Sequence, residues 1–411
     1  MMKKLLIAAV LLATGVGAAS ALTTNEKGVY EIATVEDMEE FGALVNSGST
    51  DICGVLTADL DYFNKNHISI GTAENPFKGV FDGHYFKIRS LEINEAEGND
   101  VGFFGVATNG ARFRNIIIES GSAVTGLNNV AALLGKAVAD DGVEMGVIEF
   151  TCVGNEADVR ANGTTGDALA GGIAGKASSR IAYRFTNCYN TGSVVGKQVG
   201  AMTSSCATAD AKGCFTTTTI KYVNASGKEA NPSPIAQILV CGLQESYTAD
   251  GWNGYNFFFG GNAKTPVTLY QACQSGTNTK VPAPYDIPAD AVHPLWKVFA
   301  DQWQATGKMC WYLNNRSSDN PIWGQEIDSD DYPSFVPGTP VVVQDGDSYK
   351  NTADVVADHF EMPVPPQTSG VENVSVFTPA VNAIYTIGGV KVEKPAAPGI
   401  YVVNGKKMIV K

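Results

Sequence analysis

The sequence predicts an all-β chain whose main body is a parallel β-helix entered through a helix-and-strand cap. Three observations carry this. The 411 residues combine 44 glycines with only 17% charged residues, a balance that favours turn-rich β structure over helix bundles. Apolar residues alternate with polar or small ones at period two in run after run. And one glycine-anchored unit recurs down the chain.

The N-terminus comes first. Lys3-Lys4 precede an apolar stretch, Leu5 to Val16, that is too short to span a membrane, and Ala19-Ser20-Ala21 offers small residues for cleavage before Leu22. Residues 1–21 therefore read as a signal peptide. The first cysteine is Cys53, so no lipid-anchored cysteine follows the leader. No later run is long and apolar enough for a membrane helix. The net charge is −13, and loss of Lys3 and Lys4 with the leader takes it to −15. An acidic surface repels nucleic acid and anionic lipid, so neither is expected as a partner.

Residues 22–95 read as the cap and first coil. Tyr30 to Ile32 is strand-like. Thr34 is an N-cap with Asp37 three residues on, and Met38, Phe41, Leu44 and Val45 make one apolar face, which predicts a helix over Val35–Ser47 stopped by Gly48. In PFKGVFDGHYFKIRSLEI (Pro76–Ile93) alternating apolar residues flank Asp82-Gly83. Alone, that pair signals a hairpin; followed by further units it reads as a corner of the first coil.

Residues 96–335 hold the repeats and an irregular closing region. VGFFG, VAALLG, AGGIAG and VGAMTSS each open a unit, and their anchors Gly105, Gly135, Gly175 and Ser204 recur at an irregular period. A unit this small buries its apolar face only by stacking on the next. A sandwich of hairpins is the competing architecture. Beyond Lys228 the repeat fades, and Val292–Gln302 reads as a short helix. Residues 336–372, rich in Pro, Asp and Ser, read as a linker. Residues 373–411 form a small β unit in which Asn404-Gly405 joins two strands as a hairpin.

Three segments resemble known families. Ile70-Gly71, Pro76–Gly83, Ile88, Leu91, Ile93 and Val101–Gly105 match, in order, the first coil and repeats of GLUG-type right-handed β-helix proteins. Met309–Phe335 resembles a tail found after such helices in secreted Bacteroidetes proteins. IYTIGGVKVEKPAAPGIYVVNGKKMIVK is similar to the C-terminal sorting domain, β-sandwich-like, that type IX secretion reads. The resemblance implies a right-handed β-helix exported through the periplasm and then secreted or held at the cell surface, with the secretion machinery as a partner of the tail. It implies no defined reaction.

The candidate chemistry is sparse. Asp82 and His84 form an acid–imidazole pair two residues apart, readable as a site or as a turn with a surface histidine. Asp140-Asp141, Asp328-Ser329-Asp330-Asp331 and Asp345-Gly346-Asp347 are oxygen-rich turns without the EF-hand spacing, so calcium is the one metal to consider and no cofactor is expected. Four scattered histidines and no Cys-x-x-Cys pair leave zinc unsupported. Arg112, Arg114, Arg160, Arg180 and Arg184 are the repeat's arginines. Aromatics are the better lead: Trp252 and Tyr255, beside Phe257–Phe259, read as ligand-binding residues or as a seal on the open end of the stack, and Trp311, Tyr312 and Trp323 invite the same two readings. Eight cysteines in an exported chain permit disulfides; Cys152 and Cys188 read as stacked, reduced core residues. No catalytic residue is assigned. The expected function is an adhesin-like, non-catalytic protein binding glycan or an extracellular protein, with a polysaccharide-degrading enzyme or a structural surface protein as alternatives.

Overall fold

The computed structural model describes residues 22–164, 168–206, 208–216, 220–223, 229–230, 257–258, 306–314 and 316–352, together with tail strands Ile384–Thr386, Lys391–Val392, Gly399–Val403 and Lys406–Val410. The segment read as a signal peptide, residues 1–21, and the helix expected at Val292–Gln302 lie outside these residues.

The cap follows from its sequence. Helix α1, Val35–Asn46, is closed by a complete capping box: the Thr34 hydroxyl accepts from the Asp37 backbone N–H, and the Asp37 carboxylate accepts from the Thr34 N–H. Val35, Met38, Phe41 and Val45 turn inward, and Leu44 is half-buried. Strand Tyr30–Ile32 pairs in parallel with Gly54–Leu56, which pairs in parallel with Val80–Asp82.

Beyond the cap the chain repeats one circuit through three parallel sheets. A long sheet takes Val80–Asp82, Arg112–Ile118, Gly146–Asn155 and Ile181–Thr186 in neighbouring rows. A second takes Glu92–Val101, Ala123–Ala131, then Asp158–Ala161 and Leu169–Gly171. A third takes Phe104–Thr108, Leu134–Val138, Ala174–Ala177 and Thr203–Ser205. The chain is thus all-β in its body, with successive units paired in parallel. Asp82-Gly83 does not make a hairpin: Val80–Asp82 and Lys87–Arg89 both run parallel to Arg112–Ile118, so the pair turns a corner within one coil.

The repeat anchors stand in register. Leu134 faces Phe104 on one side and Ala174 on the other, which puts Gly105, Gly135 and Gly175 in one column with Ser204 above. The column needs glycine for space: a Cβ on Gly175 would lie 2.0 Å from the Gly135 carbonyl oxygen, and one on Gly135 would lie 2.4 Å from the Asp100 carbonyl carbon. Side chains inside form continuous ladders, with Phe113, Phe150 and Phe185 stacked ring on ring at 5.5 and 4.9 Å.

The cysteine ladder differs by one residue from the sequence expectation. Phe150 faces Phe185 and Gly154 faces Tyr189, so Cys152 falls opposite Asn187, and Cys188 falls opposite Val153. Asn115, Cys152 and Asn187 share a left-handed backbone kink, φ between 52° and 54°. Aligning the two Phe-Thr pairs rather than the cysteines recovers this register.

The segment 306–352 packs on the outer face of the long sheet. Helix α2, Lys308–Leu313, contributes Met309, Cys310 and Leu313, which join Trp323, Phe335 and Val342 against Tyr85, Ile117, Tyr189 and Phe215. Gly154 leaves room for the Tyr189 ring, which a Cβ there would meet at 2.2 Å. This cover reaches into the stretch read as a linker: Val341–Asp345 and Ser348–Thr352 form a hairpin, and Val336, Val341 and Val342 are buried. Its turn is Gly346-Asp347, with Gly346 taking φ +62°. The tail, Gln367–Lys411, is a separate unit. Its described strands form one four-stranded antiparallel sheet, with Val403 facing Lys406 as the Asn404-Gly405 signal predicts.

Candidate functional site

The loop from Asp61 to Ile70, beside α1, is the strongest candidate surface. Strand Leu60–Asp61 ends there, and the Asp61 carboxylate accepts from the Phe63 N–H at 3.0 Å. Asn64 then takes φ 56°, and the Lys65 N–H donates to the Tyr62 carbonyl. This tight turn sends neighbouring side chains in opposite directions. Tyr62 is buried, while Phe63 is 70% exposed; His67 is buried, while Ile68 is 74% exposed.

Beneath the turn lies a locked polar pair. The His67 ring stacks on Phe103 at 4.3 Å and 4°. Its Nε2–H donates to the Phe103 carbonyl at 2.8 Å, so Nδ1 accepts from the Tyr62 hydroxyl at 3.1 Å. Burial drives the His67 pKa down to about 4 and the Tyr62 pKa up. The pair is therefore neutral and holds the loop to the first coil. Asn46 pins the far side, accepting from the Gly71 N–H and donating to the Ser69 carbonyl, and Lys65 reaches Glu36 on α1. A hollow of about 80 Å³ opens between α1 and the loop, lined by Met38, Glu39, Gly42, Ala43, Asn46, His67 and Ile68. The arrangement is two exposed apolar side chains on a braced support, with charge around them.

The residues singled out in the sequence fall elsewhere. Trp252 and Tyr255 lie outside the described residues; Phe257–Phe258 adds a strand beside Phe215–Thr216. Asp82 is fully buried, ion-paired to the Arg114 Nε at 2.8 Å and accepting from the Asn115 side chain and the His84 N–H. It is a corner residue, and it is the buried member of the Asp82–His84 pair. The arginines form ladders rather than a cluster: Glu149 bridges Arg112 and Arg184, and Arg180 donates to the Asp140 and Val143 carbonyls. Asp140 is held by Lys78 and Thr108, Asp330 accepts from the Glu326 N–H, and Asp345 pairs with Lys350. Among the described residues no group of His, Cys, Asp and Glu is arranged to hold a metal, and no helix is long and apolar enough to cross a membrane. Trp323 and its neighbours seal the side of the stack, not its open end.

Sequence reasoning passed over Phe63 and Ile68. The available signal was the polar run Asn64-Lys65-Asn66 between isolated apolar residues, which breaks the period-two pattern.

No protein-family description matches the chain, and no curated protein does. A solved structure from Bacteroides ovatus, a "putative immunoglobulin A1 protease", overlaps 49% of this chain and 70% of its own, at 18% identity and a TM-score of 0.30. So slight a likeness carries no argument about fold or activity.

Proposed function

We propose that this chain is an exported, non-catalytic surface or secreted protein, built on a right-handed β-helix of the GLUG type, that binds an extracellular protein through the Asp61–Ile70 loop. The observation that carries the reading is the exposure of Phe63 and Ile68 on a braced support. Apolar side chains presented rigidly bind with little ordering cost. Exposed phenylalanine and isoleucine on a loop that carries the Lys65–Glu36 ion pair, with Glu39 beside Ile68, suit a protein surface. A sugar-binding site would call for more hydrogen-bond donors around its stacking rings. Export rests on the leader and on the tail's similarity to a sorting domain.

The test is binding of the purified mature chain to a panel of immobilised extracellular-matrix proteins and to a glycan array. Saturable protein binding that is lost in the Phe63→Ser/Ile68→Ser variant supports the reading. Glycan binding indifferent to that variant would move the site elsewhere, and release of reducing ends would make the chain an enzyme. Export has its own test: removal of Ile384–Lys411 should strand the chain in the periplasm, and normal secretion of the truncated chain refutes the sorting role.

A further inference from the structure

Two thiols from successive coils meet inside the stack. Tyr189 faces Phe215 and Asn190 faces Thr216, so Cys188 and Cys214, the residues just before these two strands, stand opposite each other. Both are fully buried, both belong to the inner core, and the Cys188 N–H donates to the Cys214 Sγ at 3.4 Å. Neighbouring parallel strands lie about 4.8 Å apart, inside the Cα range a disulfide spans. Cys152 does not compete: it joins the outer-face cluster with Tyr85 and Tyr189.

We infer that Cys188 and Cys214 form a disulfide between coils when the chain folds in an oxidising compartment. The inference rests on the proposed export. The oxidant is a protein or small-molecule disulfide. One cysteine thiolate attacks it and displaces a thiolate, giving a mixed disulfide; the second thiolate then displaces the other half. Two thiols thereby lose two protons and two electrons, and the oxidant leaves as two thiols. The order matters. In the closed coil, burial pushes the Cys188 thiol well up, so it stays protonated and unreactive. The bond therefore forms before the coil closes, and afterwards it is shielded from reductant. Its place is telling: it ties the coil that ends the well-kept repeat to the one that follows, where the anchoring glycine has become Ser204.

The test uses the whole mature chain, Leu22 to Lys411, refolded in a glutathione redox buffer, alkylated, digested without reduction and mapped by mass spectrometry. The expected majority species links Cys188 to Cys214 and leaves Cys152 alkylated. Links from either cysteine to another, or two alkylated thiols, overturn the inference. Reduction should lower the melting temperature by about 5 °C or more. Cys214→Ser should abolish that redox dependence, and Cys152→Ser should keep it; dependence unaffected by Cys214→Ser also overturns the inference. The same mapping on chain recovered from the cell separates the two claims. Exported chain with both thiols free removes the disulfide and leaves export standing; chain confined to the cytoplasm removes export itself.

Discussion

The cap end and the far end of the stack fill the same interior with different side chains. One inward column reads Phe104, Leu134, Ala174, Thr203 from coil to coil. Another reads Phe113, Phe150, Phe185, and a third Ile118, Asn155, Asn190, Thr216. Large apolar residues thus give way to small and polar ones. At the cap end, Phe41, Phe77, Phe81, Phe103 and Phe104 pack ring against ring. At the far end the core leans on hydrogen bonds: Asn155 donates to the Asn190 side-chain oxygen at 2.8 Å, and Asn190 donates to the Ala201 carbonyl. The lesson is that one backbone circuit is maintained by two kinds of cohesion. The outer cover from residues 306–352 spans the contrast, packing against Tyr85 and Ile117 of the first coils as well as Tyr189 and Phe215.

Four measurements sharpen or break this contrast. The largest effect is expected from truncation of a cap-end ring. Phe104→Ala should cost about 3–5 kcal/mol of unfolding free energy in denaturant titration, whereas Ala174→Gly, two column positions further, should cost about 1 kcal/mol or less. Equal losses would erase the taper as an energetic fact.

Acid comes next, and it should act at the cap end. His67 is neutral when folded, with its pKa near 4, against about 6.5 when unfolded. Between those values only the unfolded chain holds the proton, so stability rises with pH across the window. The contribution is fully present above about pH 6.5 and is lost on acidification towards pH 4, a fall of about 3 kcal/mol. Amide exchange in the Asp61–Ile70 loop should quicken over that range in the wild type. If exchange there is indifferent to pH after correction for intrinsic rates, the Tyr62–His67 lock is not what holds the loop.

At the far end, Asn190→Ala should cost about 1–3 kcal/mol, because it leaves the Ala201 carbonyl without its side-chain donor and the Asn155 amide with only the Ala157 carbonyl. A smaller loss than that from Glu149→Gln would reverse the ranking. Glu149 lies on the exposed ladder between Arg112 and Arg184, and its replacement should cost about 1 kcal/mol or less, shrinking further in salt.

How much of this the sequence disclosed depends on whether a feature was local. The capping box, the α1 face, the glycine column and the Val403–Lys406 turn are fixed by residues a few positions apart, and all are legible. The register of the cysteines was misread because the left-handed kink at Cys152 and Asn187 shifts the inward face by one, and only the paired Phe-Thr motif reports the shift. The hairpin at Val341–Thr352 was hidden by the prolines that flank it and by its own aspartates, although Asp345-Gly346 follows a run of valines. The burial of Asp82 depends on Arg114 and Asn115 one coil away, which no local pattern announces. Phe63 and Ile68 were missed for the opposite reason: a lone exposed apolar residue becomes informative only when its neighbours are seen to be buried.

The central claim is that successive segments stack in parallel, coil on coil. It is tested most directly by cross-linking two engineered cysteine pairs under mild oxidation and mapping the links by mass spectrometry. Glu149 and Arg184 face each other on neighbouring parallel strands, so Glu149→Cys with Arg184→Cys should link efficiently. A hairpin turning at Asp82-Gly83 would instead set Lys78 opposite Lys87, two residues that here reach separately to Asp140 and Glu119. Lys78→Cys with Lys87→Cys should therefore stay unlinked; a link there, with none between positions 149 and 184, would contradict the stack.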